Sequence, residues 1–221
     1  MTVLKSKNLA YEIADLLREK IIHGELQPGQ RILEAKIAKE LSVSQSSVRE
    51  ALRILEQSGL VETNQRRGTF VTELSNNDIE IMYDIVTDLY ALLIIKAMEH
   101  RSTENVARII DVLKRLETSA EKSDFDNYHK SIFEFAYIAL EAVQSPVLTK
   151  IISDLWPNKQ RVEYMTLRAR KNELKSNVKY FKLLEKYMLE ANLEKLVKTI
   201  REYTQNEKKF ALSILSTAPR D

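Results

Sequence analysis

The chain has 221 residues, 44% apolar and 30% charged, with a formal net charge of +2 and no cysteine. That length holds one large domain or two ordinary ones, each able to bury a core, and the near-balanced charge excludes a histone-like polycation. The missing cysteines exclude a disulfide framework, a thiolate zinc site and a cysteine nucleophile, and they suit a reducing cytoplasm.

The opening residues, MTVLKSKNLAYEIADLLREK, lack the apolar run of a signal peptide. No later segment is apolar for long enough to span a bilayer, so a cytoplasmic protein without membrane contact is expected. Leu9, Ile13, Leu16, Leu17 and Ile21 recur at helical spacing ahead of Gly24, which predicts a first helix over about Lys7–His23 with a left-handed glycine cap. GELQPGQRIL then turns the chain sharply. Leu33, Ile37, Ala38 and Leu41 form the stripe of a short second helix, Ser42 and Val43 a tight turn, and Val48, Ala51, Leu52 and Leu55 the stripe of a third. Two short helices joined so tightly predict a helix-turn-helix.

At 100° per residue, a stripe centred on Val48 and Leu52 leaves Ser46, Glu50 and Arg53 facing outward, with Gln45 and Arg49 on the shoulder. Ser44 is placed to cap the third helix, and Ser46 and Ser47 remain to meet phosphates at its positive end. Arg49 either reads a base or pairs with Glu12, Glu50 or Glu56, and Glu50 is expected to hold Arg53 or a wing arginine. After Gly59, LVETNQRRGTFVTE reads as two β-prone runs around NQRRG, a two-stranded wing with Arg66 and Arg67 at its tip and Gly68 supplying a positive φ. One element thus suits a major groove and another the backbone or minor groove.

The four glycines all lie in the first third, so the remainder cannot easily make tight hairpins and should be helical. Ser75 followed by Asp78 marks a capping box and a domain joint, giving residues 1–74 and 75–221 as the two domains. Helical stripes then predict a long helix from Asp78 to about Ala97, one through Val106–Leu116, one over Asp124–Val143, a short one over Pro146–Leu155, another between Asn158 and Arg170, and two more over Leu174–Leu189 and Leu193–Leu215. The expected fold class is mainly α: a winged helix-turn-helix domain followed by an all-α antiparallel bundle.

The segment IIHGELQPGQRILEAKIAKELSVSQSSVREALRILEQSGLVETNQRRGTFV, Ile21 to Val71, resembles the winged helix of GntR-family transcriptional regulators. The likeness rests on V-S-x-x-x-V-R-E-A-L, on G-hydrophobic-V, and on R-G-x-x-V at the wing. It implies a bacterial regulator that binds a palindromic double-stranded DNA operator as a homodimer, with Arg49 where the family places its base-reading arginine. Gln45 stands in place of an arginine after V-S, and Ala35 where many members carry another. Glutamine can pair with adenine N6 and N7 where arginine favours guanine, so the operator code should differ. The DNA-contacting set is then Ser44, Gln45, Ser46, Ser47, Arg49, Arg53, Arg66, Arg67 and Gly68.

The helical remainder resembles the FCD domain of the FadR subfamily, many of whose members hold a divalent metal with an aspartate and three histidines. Here the histidines are His23, His100 and His129, and only His129 matches that pattern, with Phe125 where the aspartate would be. Tyr180 or Phe181 and Tyr203 fall at the other histidine positions, so neither a metal site nor any other cofactor is expected. His23 and His100 end helices. His129 lies within the apolar arc of Phe125, Ile132, Ala136 and Leu140, where it is either a satisfied core residue or a ligand contact. Glu207 interrupts an apolar stripe of the last helix, and a carboxylate there needs a partner.

These residues define an expected effector site of His129, Tyr180, Tyr203, Arg161, Arg168 and Glu207, receiving a small organic acid or an acyl-CoA-like molecule. The same tyrosines serve equally well as core packing. An enzyme is disfavoured, since the chain lacks a glycine-rich phosphate loop and paired histidines on one helix face. The alternative is an architectural or protein-interaction winged helix without an effector.

Overall fold

The computed structural model describes residues 3–170 and 174–217. Residues 1–75, joined by 156–162, make one compact unit, and residues 76–155 with 163–221 make the other.

In the first unit, α1 (Val3–Ile22) packs on α3 (Gln45–Gln57), and α2 (Glu34–Leu41) leads into α3 through Ser42 and Val43. Ser42 ends α2 in the left-handed region at φ 55°, and its N–H donates back to the carbonyls of Ala38 and Lys39. This single left-handed residue reverses the chain without a glycine. The core holds Ile13, Leu17 and Ile21 from α1, Ile37 from α2, and Val48, Ala51, Leu52 and Leu55 from α3. Every residue of the third helix's expected stripe is therefore buried.

The wing has three strands where the sequence predicts two. Strands β2 (Val61–Asn64) and β3 (Gly68–Val71) pair antiparallel, and β1 (Arg31–Ile32) adds to the other side of β3, giving the order β1–β3–β2. A two-residue strand is too short to show an alternation, so the GELQPGQRIL segment betrayed only its turn. Its Ile32 is buried while Arg31 stays exposed, which orients the arginine outward.

The second unit consists of α4 (Asn76–Glu99), α5 (Thr103–Lys122), α6 (Phe125–Val143), α7 (Pro146–Ala169), α8 (Leu174–Leu189) and α9 (Leu193–Thr217). Each of α5, α6 and α7 starts on a polar N-cap: Ser102 accepts from Asn105 N at 3.1 Å, Asp124 from Asn127 N at 3.2 Å, and Ser145 from Leu148 N at 3.3 Å. Such caps satisfy N–H groups that the helix itself leaves open. Helix α4 packs on α6 and α9, α5 on α6 and α8, and α8 on α9.

The two helices expected on either side of Pro157 are one continuous helix, α7, with the proline inside it. Proline removes one N–H and crowds the preceding turn, which usually breaks a helix. Here the carbonyl deprived of its donor belongs to Ser153, an exposed residue that water can serve. No helix of the described residues is long and apolar enough to cross a membrane.

Candidate functional site

Two places concentrate polar side chains. The first is the front of α3. Ser44 caps it, its hydroxyl accepting from Ser47 N at 3.1 Å, and the Ser47 hydroxyl lies 2.9 Å from that of Ser44. Ser47 is thus bound into the cap, whereas its position in the sequence suggests a hydroxyl free for a phosphate. Gln45, Ser46, Arg49 and Arg53 are all exposed, on the face opposite the buried Val48, Ala51, Leu52 and Leu55. The cap bond is expected to contribute to stability whatever Ser44 contacts on DNA: Ser44→Ala should cost about 1 kcal/mol in urea unfolding of the protein. A loss below about 0.3 kcal/mol would show that the cap contributes nothing.

Arg49 has an acidic partner, but none of the three anticipated. Its Nε and Nη2 donate to Glu34 Oε2 at 3.2 and 3.0 Å, and this carboxylate raises the guanidinium's pKa further. Glu34 opens α2, so the pairing depends on how α2 crosses α3, which spacing along α3 does not reveal. The arginine side chain remains 58% exposed, so the pair steadies it at the surface without hiding it. Glu56 instead accepts from Thr63 N at 2.9 Å, tying α3 to β2. Glu50 accepts from Arg53 at 3.3 Å, as its position suggested.

At the wing, Arg66 and Arg67 are exposed, and the Arg67 guanidinium lies 5.6 Å from the centre of the Phe70 ring. Gly68 has φ +98°, and a Cβ there would come within 3.2 Å of Arg31 Nε. Arg31 is therefore a third cation at the wing tip, which the sequence reading missed because β1 was not foreseen.

The second place is the core of the bundle. Glu207 is fully buried, and its carboxylate accepts from Arg170 Nη2 at 2.5 Å and from Asn177 Nδ2 at 2.8 Å. The Arg170 guanidinium, only 7% exposed, lies 4.0 Å from the centre of the Phe210 ring. Tyr203 donates to Glu163 Oε1 at 2.6 Å, and both residues are buried. Burial first, then the neighbouring carboxylates Glu163 and Glu207, hold the Tyr203 hydroxyl well above its ordinary pKa. Tyr128 shifts upward for the same reasons, with Glu207 ahead of Glu163. Two polar atoms of this cluster, Arg170 Nη1 and the Tyr128 hydroxyl, are buried with no hydrogen-bond partner.

The six residues expected at an effector site are only partly brought together. Tyr203 and Glu207 join the cluster, and Tyr180 packs edge-on against Tyr203 at 5.8 Å between centroids. His129 is buried against the rings of Phe133 at 5.0 Å and Tyr164 at 5.3 Å. Arg161 lies elsewhere: its Nη1 donates to Thr72 O at 2.7 Å, and burial lowers its pKa to about 10. Arg168 is exposed, with its guanidinium 5.9 Å from the centre of the Tyr164 ring. Glu163, Arg170 and Asn177 complete the cluster without any sign in the sequence that they belong to it. Glu163 lies on α7 and Arg170 caps its C-terminal end seven residues later, so the predicted helix between Asn158 and Arg170 already held both, but its spacing does not show which groups they meet on α9.

A family metal does not fit these residues. Phe181 packs on Tyr203 at 5.1 Å where histidines would be required, and among the described residues no three of His, Cys, Asp and Glu gather as a ligand set. The cation in this core is the Arg170 guanidinium.

The profile of bacterial regulatory proteins of the gntR family matches residues 9–71, and that of the FCD domain matches residues 81–206. The uncharacterized HTH-type transcriptional regulator YdhC of Bacillus subtilis (strain 168) is 28% identical over 129 residues, covering 55% of this chain and 58% of that protein. The HTH-type transcriptional regulator McbR of Escherichia coli (strain K12) is 23% identical over 153 residues, 69% of each chain. The solved structure of E. coli McbR/YncC superimposes with a TM-score of 0.83 at 20% identity, covering 94% of this chain and 98% of that one, so the fold is shared. With its exposed polar edge on α3, its wing and its helical bundle, the chain belongs to the GntR family of bacterial regulatory proteins, as a transcriptional regulator carrying an FCD domain.

Proposed function

We propose that this protein is a cytoplasmic, homodimeric regulator of the FadR subfamily that binds a palindromic operator and answers to a small organic effector. The observation that carries the DNA-binding half is the split character of α3: four apolar residues buried on one face, and Gln45, Ser46, Arg49 and Arg53 presented on the other. Two such helices in a dimer would enter successive major grooves about one helical turn apart. Arg49 and Gln45 would choose the bases, while Arg31, Arg66 and Arg67 would hold the wing against the backbone or minor groove.

The effector half rests on the bundle core. Burying two carboxylates and a guanidinium costs free energy that an apolar core avoids, so the cluster is better explained by binding than by stability. The two donors left over, Arg170 Nη1 and the Tyr128 hydroxyl, suit an oxygen acceptor of an organic acid or thioester, with no metal intervening. Binding there would change the relative populations of DNA-competent and incompetent arrangements.

Competitive binding of the natural promoter fragment against random duplex, repeated across a salt series, tests the reading. Specific binding should exceed random binding by at least about a thousandfold, with log K falling linearly in log salt. A ratio near one would reduce the protein to an architectural binder.

A further inference from the structure

At the closed end of the hairpin formed by α5 and α6, the last turns of one helix and the first turns of the other enclose an open cleft of about 410 Å³. Four cations line it, Lys114, Arg115, Lys122 and Lys130, against the single carboxylate of Asp124. Lys114 and Lys122 lie eight residues apart on one edge of α5, and Lys130 faces them from α6.

The charges are not equally available. Asp124 caps α6, its carboxylate accepting from Asn127 Nδ2 at 2.7 Å and Asn127 N at 3.2 Å, and these bonds hold its pKa below the usual range. The N-terminus of α6 is therefore already served, and it is not what would draw an anion. Arg115 is locked by Glu134 at 2.7 and 2.9 Å and by Asp111 at 3.1 Å, so it forms a rigid wall whose charge is matched.

The three lysines differ, because none forms an ion pair among the described residues. Several other lysines of the bundle are paired, Lys96 with Glu99, Lys150 with Asp154, Lys182 with Glu117, and Lys208 with Glu80 and Asp84, whereas here three that are not paired line one concavity. Three like charges gathered around one concavity, with Asp124 near Lys122 and Glu134 near Lys130 but neither in an ion pair with them, raise its local potential and favour a multiply charged anion.

We propose that this cleft binds a small phosphorylated ligand, whose phosphoryl oxygens are met by Lys114, Lys122 and Lys130. The volume falls in the range of small-molecule sites, roughly 300–1,000 Å³. Lysine supplies mobile point charges that suit a phosphoryl group approached from several sides. The site shares no residue with α3, the wing or the Arg170–Glu207 cluster, so it stands whether or not the bundle core takes an organic effector.

Isothermal titration calorimetry of the full-length protein with inorganic pyrophosphate, at fixed ionic strength, tests the assignment. A saturable isotherm is expected, weakened at least about tenfold in the K114Q/K122Q/K130Q variant and partially in K130Q alone, with the thermal midpoint unchanged. Unaltered affinity in both variants would overturn the site. Equal binding of citrate would overturn the phosphoryl assignment. Loss of random-duplex binding in the triple variant, with pyrophosphate binding retained, would overturn the small-ligand reading in favour of a DNA-backbone surface.

Discussion

Replacing Glu207 by alanine is expected to cost about 3–5 kcal/mol, the largest stability loss available at a single polar position of the bundle. The carboxylate is fully buried and accepts from both Arg170 and Asn177, so its removal leaves a guanidinium in the core without its counter-charge and an amide without an acceptor. Desolvation, already incurred by Arg170, is then uncompensated. The thermal midpoint of the bundle should fall on the order of 10 °C. Glu207→Gln keeps an acceptor in place and should lose less. Removing both charges together, as in R170M/E207L, should recover much of the loss, because well-packed apolar side chains commonly match or exceed a buried ion pair. An E207A protein that melts within about 2 °C of the parent would show that the pair is not buried in solution.

Arg49→Ala is expected to weaken operator binding by about 10- to 100-fold and to flatten the preference at the base it reads, while binding to random duplex changes little. The Arg49–Glu34 pair does not argue against this. It is solvent-exposed, such pairs are weak, and a bidentate base contact outweighs one. In the proposed reading, Glu34 would orient the arginine in the free protein and release it at the groove. Glu34→Gln separates positioning from sequestration: if Glu34 positions Arg49, specific affinity falls modestly, and if it sequesters Arg49, specific affinity rises. Retention of full operator preference by Arg49→Ala, measured by footprinting, would remove the arginine from the readout.

The buried cluster and the exposed helix edge fall at opposite ends of what a chain shows before it folds. The α3 stripe of Val48, Ala51, Leu52 and Leu55 repeats at 3.6 residues, and a local period depends on nothing but the chain's own geometry. It therefore announced both the helix and its exposed face. The turn at Gly68, with its positive φ, was legible for the same local reason. The continuity of α7 was not, because a proline reads locally as a break, and only the folded helix shows that the Ser153 carbonyl it deprives of a donor is exposed to water.

Sequence by itself determined the three helices and the hairpin of the winged helix and the helical character of the described residues after the wing, but neither β1 nor the continuity of α7. A local pair such as Glu50–Arg53 follows from spacing, but tertiary structure alone decided which charges meet across elements. Arg170 and Glu207 are 37 residues apart, Tyr203 and Glu163 are 40, and Arg49 and Glu34 are 15. Each pairing depends on how two separate helices are rotated and crossed against each other. A helix's periodicity shows which face it buries, but the partner that face meets is set by the packing of the whole unit.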